Sequence, residues 1–407
     1  MLGYIGELPL FIIHSSMNVT MTTTSTPDRF DSLRPYRDDE VVAVLDRLAH
    51  DREFLNLVGR YRLPRLMKHL PCLARFLTRQ GLQKRMKGTL TIADFQQHIA
   101  DYMNDMIAKT VTSFETEGAA HLDPDNAYLF IGNHRDISLD PAFLNLALHH
   151  SGRDTVRIAI GDNLLKRPFA SDLMRLNKSF IVPRSSSGKR EMLQAFRLLS
   201  DYIAHSLKDE KHSIWIAQRQ GRAKDGIDRT EPGIIKMICM SQGKQPLGGT
   251  IKALNIVPVS ISYEYDPCAL MKARELQALE TDGSYEKQSM EDMQSIAAGI
   301  TGQKGRVSLH FGTPLSVRPD GYPFETAEEV AAEIDRQVLE GYTLFPPHML
   351  ALKMLGGHDE LVDETGITED DRQRFNAALA EVPEDLRPWW LQQYANPVLN
   401  RAGLVEE

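Results

Sequence analysis

The sequence is poor in cysteine. Its 407 residues include only three, Cys72, Cys239 and Cys268, an odd number with no metal-ligand spacing. A small secreted protein stapled by disulfides would carry more cysteines, in an even number. We therefore predict a reducing compartment, no disulfide framework and no metal site, and we expect the chain to be cytoplasmic.

Long apolar runs and an excess of positive charge are also missing. No apolar run reaches the ~18 residues that a helix needs to cross a bilayer, and the net charge is −8. The acidic balance argues against a nucleic-acid partner. The sequence also lacks the Gly-x-Ser-x-Gly segment that surrounds the nucleophile of many hydrolases, so a serine nucleophile of that type is unsupported.

The start of the chain is apolar but does not resemble a signal peptide. Residues 1–13 lack a positively charged segment and contain Glu7, which is untypical of such a leader. Met1, Met17 and Met21 are all possible starts. We expect residues 1–20 to be poorly ordered or not translated.

The hydrophobic pattern divides the chain into four regions. They are a flexible lead-in at 1–38, a helical region at 39–120, an α/β domain at 121–345 and a helical extension at 346–407. Within the α/β domain, apolar runs predict strands at 127–132, 155–161, 179–183, 213–218 and 255–265, with an edge strand at 306–311.

Helices are predicted between these strands. Their ranges are 141–150, 168–176, 188–208 and 232–242, followed by a helix from Thr326 to Gly341 that begins with a capping box of Thr326 and Glu329. Strands that alternate with helices form a mostly parallel sheet. The predicted fold class is therefore α/β, a central mostly parallel mixed sheet flanked by helices, with helical additions at both ends.

A candidate for acid–base chemistry follows the first of these strands. The strand breaks at Gly132-Asn133, and Asp140-Pro141 then predicts the start of a helix, with Asp140 as its cap. His134 lies in this turn, where α/β sheets bind ligands. A histidine oriented by a carboxylate can deprotonate a hydroxyl at neutral pH. The alternative is a structural loop histidine beside a helix cap.

Basic residues follow three other strand ends. Arg184 ends the strand at 179–183, and Lys189 and Arg190 open the next helix. The strand at 213–218 runs into Gly221 and a cluster of cations, Arg219, Arg222, Lys224 and Arg229. Glycine lets a backbone approach a ligand closely, and arginine suits phosphate oxygens. Together these strand ends predict a phosphorylated substrate; the alternative is solvated surface charge.

A separate basic segment lies in the helical region. Residues 54–93 contain no Asp or Glu but nine Lys and Arg, interleaved with Leu, Phe, Met and Tyr. Such a segment is either a solvated helical face or a surface that docks on anionic lipid or an acidic carrier protein. The sequence does not separate these partners, and it leaves open a peripheral position on the inner face of a membrane.

Taken in order, these blocks resemble those of the glycerolipid acyltransferases, which include glycerol-3-phosphate and 1-acylglycerol-3-phosphate acyltransferases. Asn133-His134 through Asp140-Pro141 resembles the family's His/Asp block, and Gly161-Asp162 through Arg184 its second block. Ile214 to Ala217 with Gly221-Arg222 is similar to the third block, particularly in the soluble plastid form. Ile256 to Val259 matches the fourth. The resemblance covers residues 127–265.

The chain also departs from the family pattern. Five residues separate His134 from Asp140, where the family usually has four, so the histidine's partner is either Asp140 or Asp136. The context after Asp140 favours Asp140. The third block has Gln220 where many membrane-embedded members have Glu, so no carboxylate acts there.

The resemblance implies a mechanism and its substrates. His134 would take the proton from a hydroxyl of glycerol 3-phosphate or 1-acylglycerol 3-phosphate, supported by Asp140. The oxygen would attack the thioester of an acyl carrier protein or acyl-CoA, which serves as co-substrate, with no other cofactor. Arg184, Gly221, Arg222 and Lys224 would bind the phosphate. The alternatives are another lysolipid or amino-lipid acceptor, or a non-catalytic lipid- or carrier-binding protein.

Overall fold

The computed structural model describes residues 28–184, 188–243, 245–288 and 291–405. The expectations for residues 1–20 and for the start of translation lie outside these residues. Within them, the chain forms the predicted α/β fold, a mostly parallel mixed sheet of seven strands flanked by helices.

The strands are β1 (Val111–Glu117), β2 (Leu129–Gly132), β3 (Arg157–Gly161), β4 (Ser179–Val182), β5 (Ile214–Ala217), β6 (Ile256–Tyr263) and β7 (Gly305–Phe311). Their order across the sheet is β1-β7-β6-β2-β5-β3-β4. All neighbouring pairs are parallel except β6 with β7. The carboxyl ends of β2 to β6 therefore meet at one edge of the sheet, as the sequence predicted.

The helices before β3 are α1 (Asp38–His50), α2 (Arg52–Arg62), α3 (Pro64–His69), α4 (Pro71–Arg85), α5 (Ile92–Thr110) and α6 (Leu139–His150). Those between β3 and β7 are α7 (Pro168–Leu176), α8 (Lys189–Lys208), α9 (Pro232–Ile238), α10 (Leu247–Leu254), α11 (Ala269–Asp282) and α12 (Glu291–Thr301). The last four are α13 (Ala327–Gly341), α14 (Pro346–Leu355), α15 (Glu369–Ala380) and α16 (Arg387–Arg401).

Two features of the sheet differ from the sequence prediction. The helical pattern before residue 120 ends at Thr110, and β1 then pairs with β7. Strand β7 was expected at an edge but lies between β1 and β6. Five of the seven residues of Val111–Glu117 are polar or charged, and none of the seven is fully buried. A solvated edge strand of this kind has no apolar run to reveal it.

Pro258 lies within β6 and lacks the N–H of other residues, yet this strand pairs on both sides. The first pair with β7 joins Val259 to Phe311, one residue beyond Pro258. The ladder to β7 therefore does not need the N–H that proline lacks.

The predicted lead-in at 1–38 is packed from residue 28 onward. Phe30 and Leu33 are buried in the core, and Ile181 of β4 donates a backbone hydrogen bond to Leu33. The segment 28–38 is largely polar, but the side chains of Phe30 and Leu33 cover part of one face of the sheet. Composition alone therefore misread these residues.

The sheet is covered on both faces. On one face, Leu129, Ile131, Ile214 and Ile256 pack against α8, α9, α10 and α13. On the other, the alternate residues of the same strands pack against α5 and α6. The helical extension that begins at 346 shares a further core with α11, and in it Trp390 packs against Phe375 of α15. Within the described residues, no helix is both long and apolar enough to cross a membrane.

Candidate active site

His134 and Asp140 contact each other in the turn between β2 and α6. Nδ1 of His134 lies 2.9 Å from Oδ2 of Asp140. The aspartate is 2% exposed and the histidine side chain 15% exposed. Because Nδ1 is engaged by the carboxylate, Nε2 is the nitrogen left for a substrate. The edge-to-face contact with Trp215, 5.8 Å between ring centroids, supports the imidazole from another side.

The turn wraps around the Asp140 carboxylate, which accommodates the five-residue spacing. The backbone N–H groups of Arg135 and Asp136 donate to Oδ2 of Asp140 at 2.7 and 3.0 Å. The hydroxyl of Tyr263, on β6, donates to Oδ1 at 2.9 Å. With the imidazole included, four groups from the turn and the sheet fix this one carboxylate.

Asp136 has a different place from the one considered in the sequence analysis. Its Oδ1 accepts the backbone N–H groups of Ser138 and Leu139, each at 2.9 Å, so it caps the start of α6. Asp140, which was expected to be the cap, instead points back into the turn. Burial and the nearby charge of Asp140 raise the pKa of Asp136.

A cleft of about 170 Å³ opens in front of His134. Its walls come from the ends of β3, β4 and β5, the start of α6 and the loop after β5. The lining includes apolar side chains, among them Ile158, Leu164 and Met174, and several basic ones. Five of the six predicted site residues line the cleft, namely His134, Arg184, Gly221, Arg222 and Lys224. The sixth, Asp140, lies behind the imidazole.

Arg222 is the most buried cation of this cleft, with 9% exposure. Its Nη2 donates to Ser295 at 3.3 Å, and its Nη1 has no hydrogen-bond partner among the described residues. A buried guanidinium nitrogen without a partner is costly. Its position on the cleft is therefore suited to an anionic ligand that would supply the missing acceptor.

The other predicted anion-binding residues differ in their surroundings. Lys224 forms an ion pair with Glu275 of α11, so its charge is already matched. The guanidinium of Arg184 lies over Gly161, where any side chain would collide with it. Gly221 has a φ of 80° and open space around it, so it is required by the turn rather than by a close approach.

Several cations that the sequence singled out are elsewhere. Lys189 and Arg190 at the start of α8 are exposed, as is Arg229, and none of the three lines the cleft. Arg219 does line it. The sequence alone indicated no site role for Tyr263, Trp215 or Lys287. In the structure, Tyr263 contacts Asp140, Trp215 contacts His134, and Lys287 lines the cleft.

A buried polar network supports the turn from below. Arg135 forms an ion pair with Asp228 at 2.5 Å, and Asn133 donates to the same carboxylate at 3.1 Å. Lys272 of α11 donates to the carbonyl oxygen of Arg135 at 2.8 Å. The N–H of Ala223 donates to the carbonyl of His134 at 2.8 Å, which ties the loop after β5 to the histidine.

Comparison with known proteins gives one family match. Residues 113–262 match the family model described as Acyltransferase. Among solved structures, the chain is similar to the 1-acyl-sn-glycerophosphate (LPA) acyltransferase PlsC from Thermotoga maritima. The identity is 14% and the TM-score 0.36, over 72% of this chain and 96% of that one. No curated protein matches the chain.

Proposed function

We propose that this chain is a glycerolipid acyltransferase, because residues 113–262 match the Acyltransferase family model, and that it acylates a hydroxyl of glycerol 3-phosphate or 1-acylglycerol 3-phosphate. The acyl donor is acyl carrier protein or CoA carrying a fatty acid as a thioester. The observation that carries the proposal is a His–Asp pair whose histidine lines a cleft together with Arg222, and the buried Nη1 of Arg222 has no partner among the described residues.

In the proposed reaction, Nε2 of His134 takes the proton from the acceptor hydroxyl as its oxygen attacks the thioester carbon. Asp140 holds the ring through Nδ1 and stabilises the imidazolium that forms. When the tetrahedral intermediate collapses, the C–S bond breaks and His134 returns the proton to the departing thiolate. General-base assistance of this kind contributes about 10²- to 10⁴-fold in rate.

In the same proposal, Arg222 grips the phosphate of the acceptor. A phosphate oxygen would satisfy Nη1, and a guanidinium binds phosphate with charge-assisted hydrogen bonds. Arg184 and Lys224 lie on the same cleft and add positive charge around it. Holding the phosphate fixes the distance between the hydroxyl and His134, and such positioning is itself a large part of catalysis.

The test is acyl transfer by the full chain, with acyl-CoA and acyl carrier protein as alternative donors and the two phosphorylated glycerols as alternative acceptors. We expect turnover with at least one pair, and its loss in His134→Ala. The matched control is His150→Ala, since His150 is an exposed histidine on α6 that lies outside the cleft.

Three results would count against the proposal. If His134→Ala turned over at close to the wild-type rate, His134 would not be the general base. Equal loss in His150→Ala would mean that the effect is not specific to the site. Binding of acylated donor without turnover on either acceptor would favour the non-catalytic lipid- or carrier-binding alternative.

A further inference from the structure

Helix α4 buries small side chains and exposes large apolar ones. Its buried residues are the small Ala74 and Thr78, whereas Leu73, Phe76 and Leu77 are 45%, 57% and 43% exposed. A surface helix of a globular protein normally turns its large apolar side chains toward the core. In α4 they face outward, and about half of each side chain stays uncovered by the other described residues.

The exposed apolar side chains form one face. Leu70, which precedes the helix and is 55% exposed, lies three residues before Leu73, and Phe76 and Leu77 follow Leu73 by three and four residues. On a helix, residues separated by three, four or seven positions lie on the same side. We call these four residues the α4 patch. Tyr61 at the end of the neighbouring α2 is also 68% exposed.

The α4 patch lies in the basic segment 54–93. The nine basic residues of that segment have no acidic residue among them in sequence, although the whole chain has a net charge of −8. In the described residues, no ion pair joins any of the nine to a carboxylate. Four of them are on α4 itself, namely Arg75, Arg79, Lys84 and Arg85. Their charge therefore remains available to an external partner.

We propose that α4 docks on the surface of a lipid bilayer that contains anionic lipids, with the α4 patch inserted among the headgroups. An interfacial helix of this kind combines a large apolar face with Lys and Arg beside it. Anionic headgroups attract the basic residues, and the acyl boundary receives the apolar ones. An acidic carrier protein would match the charge but would leave four large apolar side chains unexplained.

Helix α7 lies between the N-terminal helices and the cleft. Phe169 of α7 stacks on Phe54 of α2, with ring centroids 5.8 Å apart, and belongs to the core shared with α1 and α5. Met174 of the same helix lines the cleft in front of His134. One helix therefore connects the N-terminal helices to the site.

The first experiment is sedimentation of the full chain with vesicles of phosphatidylcholine, alone or mixed with phosphatidylglycerol. We expect binding to the mixed vesicles that weakens as salt is added. Phe76→Ser/Leu77→Ser should weaken it about tenfold or more, because two apolar side chains no longer insert. The matched control is Met354→Ser/Leu355→Ser, an adjacent pair on α14 with 55% and 42% exposure, which should bind as the wild type does.

A second variant separates charge from apolar insertion and does not depend on how well the first one folds. Lys84→Gln/Arg85→Gln keeps the α4 patch but removes two exposed charges at the end of α4. We expect it to bind mixed vesicles more weakly and to show a shallower dependence on salt, while its binding to phosphatidylcholine alone is unchanged.

The native Cys72 gives a readout at the surface itself. It is the exposed cysteine, next to Leu73 on α4, whereas Cys268 is buried and burial raises the pKa of its thiol to about 12. An environment-sensitive fluorophore on Cys72 should shift to the blue when mixed vesicles are added. The shift should be absent with phosphatidylcholine alone at moderate salt.

The proposal is overturned if the wild type does not bind mixed vesicles, or if both serine variants lose binding equally. Capture of acyl carrier protein by the wild type, lost in Phe76→Ser/Leu77→Ser without any vesicle binding, would assign the surface to the carrier instead. These readouts need no turnover. Activity of the variants on glycerol 3-phosphate with soluble donor is measured separately, so failure of docking and failure of the proposed function are distinguishable.

Discussion

Tyr263 and His134 hold opposite oxygens of the same carboxylate: the phenol donates to Oδ1 of Asp140 at 2.9 Å, and the imidazole contacts Oδ2 at 2.9 Å. Tyr263 and Asp140 are both buried. Burial and the neighbouring Asp140 raise the pKa of Tyr263 well above its ordinary value. The phenol therefore stays protonated and acts as a permanent hydrogen-bond donor. It is a positioning residue for the aspartate.

Tyr263→Phe should slow acyl transfer by about tenfold, because a hydrogen bond to a charged group contributes about 1.5–3 kcal/mol. Without it, the Asp140 carboxylate is held less firmly behind the imidazole, so the loss should appear in kcat rather than in the KM for either substrate. Tyr265→Phe is the control, since the Tyr265 hydroxyl is buried without a partner among the described residues. An unchanged kcat in Tyr263→Phe, or an equal loss in Tyr265→Phe, would contradict the positioning role.

Substitution of the two aspartates of the turn should have clearly different effects on activity. Asp140→Asn leaves the histidine without its charged partner, and we expect kcat to fall by about 10²- to 10⁴-fold. Asp136→Asn keeps a side-chain oxygen that can accept from Ser138 and Leu139, as Oδ1 does now. It should retain activity within about tenfold of the wild type. Steady-state kinetics on both variants test this assignment. A larger loss of kcat in Asp136→Asn than in Asp140→Asn would make Asp136 the partner of the histidine.

These two residues also illustrate what a sequence can predict here. The strand, the turn and the helix after it are local, so the hydrophobic run and the Asp-Pro pair were enough to place His134 at the rim of the sheet. The same signals do not predict where the Asp136 and Asp140 side chains point, because both carboxylates lie within one turn of the helix start. Only the folded loop determines which one caps the amides and which one meets the imidazole.

Long-range partners were harder to predict. Period-two alternation in β6 predicts that Tyr263 faces one side of the sheet, but Asp140 is 123 residues away in sequence, and no pattern links them. Similarly, Arg222 and Lys224 look equivalent in a basic loop. Glu275, on a distant helix, matches the charge of Lys224 and leaves Arg222 with an unpartnered nitrogen.

That difference leads to a prediction about substrate binding. Arg222→Ala should raise the KM for the phosphorylated acceptor by about 10- to 100-fold, since it removes a buried charge-assisted hydrogen bond. Lys224→Ala should raise it less, because Glu275 already pairs with that ammonium. The KM for the acyl donor should be unchanged in Arg222→Ala. Equal effects of the two variants on the acceptor would argue against a distinct contact at Arg222.

His348 provides a prediction about stability and pH. It is buried on α14, where the Phe345 N–H donates to its Nδ1 at 2.9 Å and the Tyr342 hydroxyl lies 3.3 Å from its Nε2. Burial lowers the pKa of His348 from 6.5 to about 3. The buried Arg135, part of the network under His134, adds to this effect.

The sign follows from the two pKa values. Between pH 6.5 and about 3, the unfolded chain takes up a proton on this histidine and the folded chain does not, so stability falls as the pH falls. From pH 7 to pH 5 this group alone should remove about 2 kcal/mol of the free energy of unfolding. Denaturant unfolding of wild type and His348→Gln at both pH values isolates its contribution, because other titrating groups cancel in the difference. Equal losses in the two proteins would mean that His348 is protonated in the folded state at pH 5.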